Sequence, residues 1–390
     1  MTTPCKTPDP AAPVPRNPTR AARLARAQRG VERLLERLRP YLWVWPPIAF
    51  GAGVASFFLV DRQQWLGAAL ALGMLLAWLL LLSESVIGRA LSRRGYPTLP
   101  RGATTFIAQL IHQETLFFSL PFLLATTVWA SGQALFTLLI MGLALLSILD
   151  PLYFKLAERY RWVYFAFHAQ CVFVVVLVTL PIMLQLTTSE SLYYALGLMV
   201  LFSLPSLMHL VQPKRIRSWF AMLGLTLLLA GAAWTGRGWV PPANLWLTGS
   251  ALSPQLNVES RTPGGSVALT RDALAESGLY AYTAIRAPRG LQEEVFHEWR
   301  HDGELIDRIA LTIHGGRQQG YRAWSRKQNF PAESDGRWRV DVVTASGQRL
   351  GVLRFTVSDA PDTADLADGQ ITSPPGIPGL DLRQLMPGTR

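Results

Sequence analysis

The sequence predicts a bundle of about seven membrane-spanning helices followed by a C-terminal all-β domain of the immunoglobulin-like sandwich type. Three observations lead there. Apolar runs of about 16 to 22 residues recur up to position 234, close to the ~20 that a helix needs to cross ~30 Å of hydrocarbon. Lys and Arg concentrate in alternate connections between those runs, which is how charge sorts across a membrane. Beyond position 247, alternation of apolar and polar residues with period two replaces continuous apolarity, the mark of half-buried strands.

Composition agrees. Of 390 residues, 50% are hydrophobic, and mean hydropathy is +0.22, high for a water-soluble chain. The net charge of +11 sits largely in an N-terminal arm and in short loops, so it speaks for a lipid bilayer as partner and against nucleic acid. Cys5 lies in a polar tail and Cys171 inside an apolar run, which excludes a structural disulfide or a cysteine metal site.

Residues 1–40 form a basic arm. Leu24, Val31, Leu34, Leu35 and Leu38 recur at helical spacing among six arginines, so the arm is either an amphipathic helix on the anionic inner leaflet or a charged segment that only fixes topology. The multi-span region, 41–234, has runs at 41–60, 65–82, 110–130, 134–149, 163–184, 192–210 and 219–234. The last of these, WFAMLGLTLLLAGAAW, is apolar on every face and bounded by Trp at both ends, as expected of a helix in lipid. The connections alternate basic and neutral. With a cytoplasmic N-terminus every basic loop falls inside, and an odd number of spans leaves the C-terminal domain outside.

Pro241-Pro242 mark a linker at 235–246. The β domain follows at 247–357. Thr270 caps a short helix ending at Gly278, and strands are expected at 279–286, 294–300, 304–313, 320–325, 337–344 and 349–357. The Pro/Gly/Asp-rich residues 358–390 read as a disordered tail.

Ionisable groups inside spans are costly and need an account. Glu84, His112, Glu114, Asp150, His168 and His209 all fall in the cytoplasmic half of the expected bundle. Glu84, Asp150 and His209 suit helix ends reaching headgroup water. Glu114 and His168 lie deeper, and pairing between them suits either a structural contact or a polar site open to the cytoplasm. His112 and Glu114 are two residues apart on one helix and face different ways. In the β domain, His297 and Trp299 share a strand face with His301, and Arg322, Trp324 and Arg326 share another. A Trp flanked by guanidiniums suits stacking on a sugar ring or holding an anionic group, or it is a core tryptophan with solvated flanks. No third ligand accompanies the two histidines, so no metal or other cofactor is expected, and no catalytic motif is present.

The segments IRAPRGLQEEVFHEWRHDG, GGRQQGYRAWSRKQNF and DGRWRVDVVTASGQRLGVLRF resemble a C-terminal periplasmic domain of unknown function. The preceding spans, with LIHQETLFF and LDPLYFK, resemble the multi-span domain of unknown function to which it is fused in bacterial inner-membrane proteins. The resemblance covers most of 40–357 and implies an inner-membrane location. It supplies no catalytic residues. Within those motifs His297, Trp299, Gly316, Arg322, Trp324, Ser325, Gly336 and Trp338 are the positions of interest. The expected function is a non-enzymatic module whose periplasmic sandwich binds an envelope protein or glycan. The alternative is a membrane enzyme or transporter with a cytoplasm-facing site around Glu114 and His168.

Overall fold

The computed structural model describes residues 101–317, 319–360 and 364–373, with isolated positions between 26 and 55. The basic arm and the first apolar run are therefore described only at those positions. The second run and Glu84 lie outside the described residues.

From Arg101 onward the helical region comprises α1 (Arg101–Thr126), α2 (Gln133–Ile148), α3 (Asp150–Arg159), α4 (Arg161–Leu184), α5 (Thr188–Val211) and α6 (Ile216–Thr235), the last running into a 3-10 turn at Gly236–Trp239. Among the described residues three helices are long and apolar enough to cross a bilayer: α4, α5 and α6 with its turn. The pair α2–α3, bent by 95°, makes a fourth if it counts as one span. A count of seven is not supported. The run expected at 134–149 forms a helix of only 16 residues, about 24 Å at 1.5 Å per residue, before Asp150-Pro151 breaks it. The run expected at 110–130 belongs to α1, which buries Gln109, His112 and Gln113 beside apolar groups such as Leu116, Phe122 and Leu123.

Burial grades across the bundle. Helix α4 is its centre, with Cys171 to Val178 all buried. Helix α6 has no buried residue, and Phe220, Leu227 and Leu228 are each more than 60% exposed.

The β domain holds β1 (Trp246–Ser253), β2 (Gln255–Asn257), β3 (Thr262–Gly264), β4 (Val267–Ala268), α7 (Arg271–Ser277), β5 (Leu279–Arg286), β6 (Gln292–His301), β7 (Glu304–His314), β8 (Tyr321–Lys327), β9 (Gly336–Thr344), β10 (Arg349–Val357) and β11 (Leu366–Ala367). All pairings are antiparallel. One sheet has the order β1-β5-β8 and the other β10-β9-β6-β7. Their inner faces share one core around Trp299 and Trp338, with Leu247, Leu279 and Ile285 from the first sheet and Val340, Leu353 and Phe355 from the second. The β2–β3 hairpin folds over the outer face of the first sheet, setting Leu256 on Tyr282, Ala251 and Ala284. The tail is not wholly free of structure. Strand β11 pairs with β4, and Thr372 exchanges backbone hydrogen bonds with Ser250 at 2.9 Å.

The stretch read as a linker is a packed joint. Every residue from Val240 to Leu247 is buried. A buried backbone must find internal partners, and side chains from both regions supply them. Gln348, in the β9–β10 turn, donates from Nε2 to the carbonyls of Val240 and Pro241, both at 3.3 Å. Gln133 at the start of α2 donates to Arg349 O at 2.9 Å, and Asn244 donates to Val178 O at 3.3 Å. Arg237 donates from Nε to Ser346 O at 3.0 Å, and the Ser346 N–H donates to Ser189 Oγ at 3.1 Å. The Trp239 indole covers Gly132 so closely that a Cβ there would sit 2.9 Å away. Replacing Gln348 with Leu leaves the buried Pro241 carbonyl without its donor and the Val240 carbonyl with only Gln133 Nε2 at 3.5 Å, at a cost of about 1–3 kcal/mol. Denaturant unfolding followed by tryptophan fluorescence should show that loss, together with new protease cleavage between 240 and 246. An unchanged midpoint would count against the joint.

Candidate functional site

The polar residues of the bundle meet where α2 breaks. In a continuous helix the Ser147 carbonyl would accept from residue 151, but proline there has no N–H. Two side chains of α1 replace it: Gln109 and Gln113 donate from Nε2 to Ser147 O at 2.9 and 2.7 Å. Gln109 also donates to Asp150 Oδ1 at 2.7 Å. One turn away, His112 Nδ1 meets the Tyr153 hydroxyl at 2.8 Å and His112 Nε2 meets His168 Nδ1 at 3.1 Å. The histidine pair thus joins α1 to α4, and the partner of His168 is His112 rather than Glu114. Glu114 faces outward and is exposed, so the two neighbours on α1 do point different ways. His209 stacks on Phe165 at 5.1 Å, away from this cluster. Gln109, Gln113 and Tyr153 escape a search confined to ionisable groups. Their signal was present, since Gln109, His112 and Gln113 recur at i, i+3 and i+4.

The β-domain candidates separate into two places. His297 and Trp299 lie in the core, both 0% exposed, beyond reach of a ligand at the surface. Trp299 Nε1 donates to Ser325 Oγ at 3.1 Å, and Ser325 Oγ lies 2.8 Å from His297 Nδ1. His297 Nε2 lies 3.1 Å from Thr283 Oγ1, which donates to Ala323 O at 3.4 Å. One directed assignment serves every member: Trp299 to Ser325, Ser325 to His297, His297 to Thr283, Thr283 to Ala323. That requires a neutral imidazole protonated on Nε2, and burial pushes its pKa down to about 3. With both nitrogens engaged, the ring is a structural bridge between the sheets. Trp338 lies in the same core and stacks on His301 at 4.6 Å, while His301 Nε2 bonds Asp335 O at 2.8 Å. Gly316 and Gly336 occupy turns at φ of 100° and 120°, which side chains rarely adopt.

Arg322, Trp324 and Arg326 do share the outer face of β8, with Trp324 opposite Tyr282 in register. Neither guanidinium stacks on Trp324. Arg326 lies over the Tyr280 ring at 5.1 Å and donates to Ser277 O at 3.1 Å. Arg322 donates to Ser260 O at 2.8 Å and to Gln319 Oε1 at 3.4 Å. It forms the floor of a cleft of about 590 Å³ between the β2–β3 hairpin and the β7–β8 loop, lined also by Glu259, Arg261, Arg317 and Gln319. Among the described residues none of these three arginines is ion-paired. The opposite sheet differs: there buried Asp341 holds Arg300, Arg339 and Arg349 at 3.3–3.6 Å, and Glu298 holds Arg300 and Arg308. Arg261 has a φ of 51°, the left-handed region, at a cost of about 1 kcal/mol for a residue with a Cβ. Arg261 and Arg317 were not singled out from sequence, because only the fold brings hairpin and loop together. No group of three or more His, Cys, Asp or Glu suited to a metal ion occurs among the described residues.

The fold and these sites define a two-part protein: a helical region with, among the described residues, three to four apolar helices of membrane-spanning length, joined to an all-β domain of antiparallel sheets. Residues 24–281 match the Family of unknown function (DUF5924), well over half of the chain, and the protein belongs to that family. Residues 292–357 match a second family, Protein of unknown function (DUF2914). No curated protein and no solved structure matches the chain. The first match runs through β1 into β5, so the border between the two families falls inside the β domain and not at the joint.

The buried imidazole sets a pH dependence. A histidine held neutral in the fold and free to protonate when unfolded favours unfolding below the unfolded pKa, near 6.5. Its contribution is intact above that value and falls by about 1.4 kcal/mol per unit as pH drops towards 3. Urea unfolding of wild type and His297→Gln at pH 7, 6, 5 and 4 should give a steeper loss in wild type. Parallel slopes would contradict a neutral buried His297.

Proposed function

We propose that this chain is a multi-pass protein of the bacterial inner membrane, with a cytoplasmic N-terminus and an immunoglobulin-like sandwich held at the periplasmic surface. The sandwich binds an envelope polymer, non-enzymatically, at the outer face of β8. The observation that carries this reading is that face itself. It offers a partly buried Trp324, Arg322 and Arg326 anchored through backbone carbonyls instead of carboxylates, and a cleft at one end. Aromatic faces bind sugar rings, and guanidiniums bind their anionic substituents.

Charge supports the topology. Helices α2 and α5 start at the joint and α4 and α6 end there, so Lys155, Arg159 and Arg161 and then Lys214, Arg215 and Arg217 gather at the far end of the bundle. Those basic connections suit the cytoplasmic side. Strand order supports the sandwich type. With β1 and β5 to β10 taken as strands A to G, the sheets read A-B-E and G-F-C-D, which departs from the immunoglobulin constant arrangement only in pairing D with C.

A second reading, a membrane enzyme or transporter, has one observation in its favour: the Tyr153–His112–His168 chain beside a broken helix. The two are separable in one experiment on the full-length protein in nanodiscs, using retention of purified envelope glycan fractions. Trp324→Ala and Arg322→Ala should each weaken retention at least tenfold without lowering the thermal midpoint, and His112→Ala should leave binding unchanged. Retention indifferent to both β8 substitutions would overturn the recognition reading.

A further inference from the structure

We propose that the cleft formed by Arg261, Arg317 and Arg322 is an oxyanion site, and that the polymer recognised at β8 is an anionic glycan whose phosphate groups it holds. This deepens the recognition reading and rests on it.

Three features of the cleft point the same way. Its charge is unbalanced: three guanidiniums face one carboxylate, Glu259, and among the described residues none of the three is ion-paired. Elsewhere on the same domain arginines brought together are each ion-paired to Asp341 or Glu298, whereas none of the three in the cleft is held by a carboxylate. Two of the three guanidiniums are held in place before any ligand arrives. Arg322 is fixed by Ser260 O and Gln319 Oε1, and Arg317 lies over the Tyr321 ring at 5.2 Å. Pre-positioned forks suit bidentate binding of a phosphate.

The third feature is Arg261 itself. It stands at the end of the β2–β3 turn in a conformation that glycine or asparagine adopts with less strain. A long side chain kept in a strained turn, at the mouth of a cleft that already holds two arginines, is explained by a ligand that it touches. Trp324 lies two residues along β8 from Arg322, about 6.6 Å by strand rise. A sugar stacked on the indole would therefore carry its phosphate to the cleft.

The test uses the full-length chain in nanodiscs and isothermal titration calorimetry with two probes: a glucosamine oligosaccharide bearing phosphate monoesters, and the same oligosaccharide after phosphatase treatment. The phosphorylated form should bind at least tenfold tighter, with an advantage that shrinks as salt rises. Arg261→Gly and Arg317→Ala should each remove most of that advantage. Arg261→Gly should do so with no fall in thermal midpoint, since glycine fits the turn. Equal affinity for both probes, dependent on Trp324, would overturn the oxyanion site and leave the recognition face standing. An advantage that survives Arg261→Gly and Arg317→Ala would also overturn it. Binding of neither probe would do the same, and the recognition reading would then be decided separately by retention of the envelope fractions.

Discussion

Eight consecutive buried residues, from Val240 to Leu247, connect the helical region to the β domain, and their backbone groups have no water to turn to. Pro241 and Pro242 cannot donate and do not build a helix or a ladder, so the carbonyls around them must be met by side chains. Gln348 meets them from the β9–β10 turn, and Gln133 reaches the same turn from the start of α2. Glu293 adds a buried carboxylate that accepts from the Thr188 N–H at 2.6 Å, at the positive end of α5. Burial raises the pKa of that carboxyl, while the amides of Thr188 and Ser189 oppose the rise. Each contact requires the helix starts, the turn and the connecting stretch to keep one arrangement. A flexible tether would need none of them.

The two family matches divide the chain inside the β domain and not at the joint. The first extends through β1 and into β5, the strands that continue directly from the buried stretch. These strands complete a core whose other half, around Val295, Trp299 and Val340, falls in the second match. Burying a tryptophan the size of Trp299 or Trp338 is worth about 3–5 kcal/mol against alanine, so neither half is complete alone.

Much of the β domain was legible because its strands are half-buried. The bounds of β5 and β10 coincide with the expected strands, and Thr270 and Gly278 bracket α7 as their chemistry dictates. Strand β1 was not legible, since both its faces are buried and the period-two signal disappears. The helical region was harder. Apolar run length alone does not reveal that Asp150-Pro151 turns the chain by 95°, or that α1 turns amides inward to serve the broken end. Of the candidate residues, the shared outer face of Arg322, Trp324 and Arg326 follows from strand alternation. The burial of His297 does not, because its partners Thr283 and Ser325 come from the facing sheet.

The consequence for the proposed function is that a ligand bound on β8 would sit on a body fixed to the helices. Under the proposed topology such a module holds its ligand at a set height and orientation over the bilayer. The most direct test is the distance between spin labels at Arg217→Cys, exposed on α6, and Arg354→Cys, exposed on β10, in a Cys5→Ser background. Measured by pulsed electron resonance in nanodiscs, a packed joint predicts a single narrow distance distribution. A broad or multi-peaked distribution would mean that the domain swings on its connection, and would contradict the account.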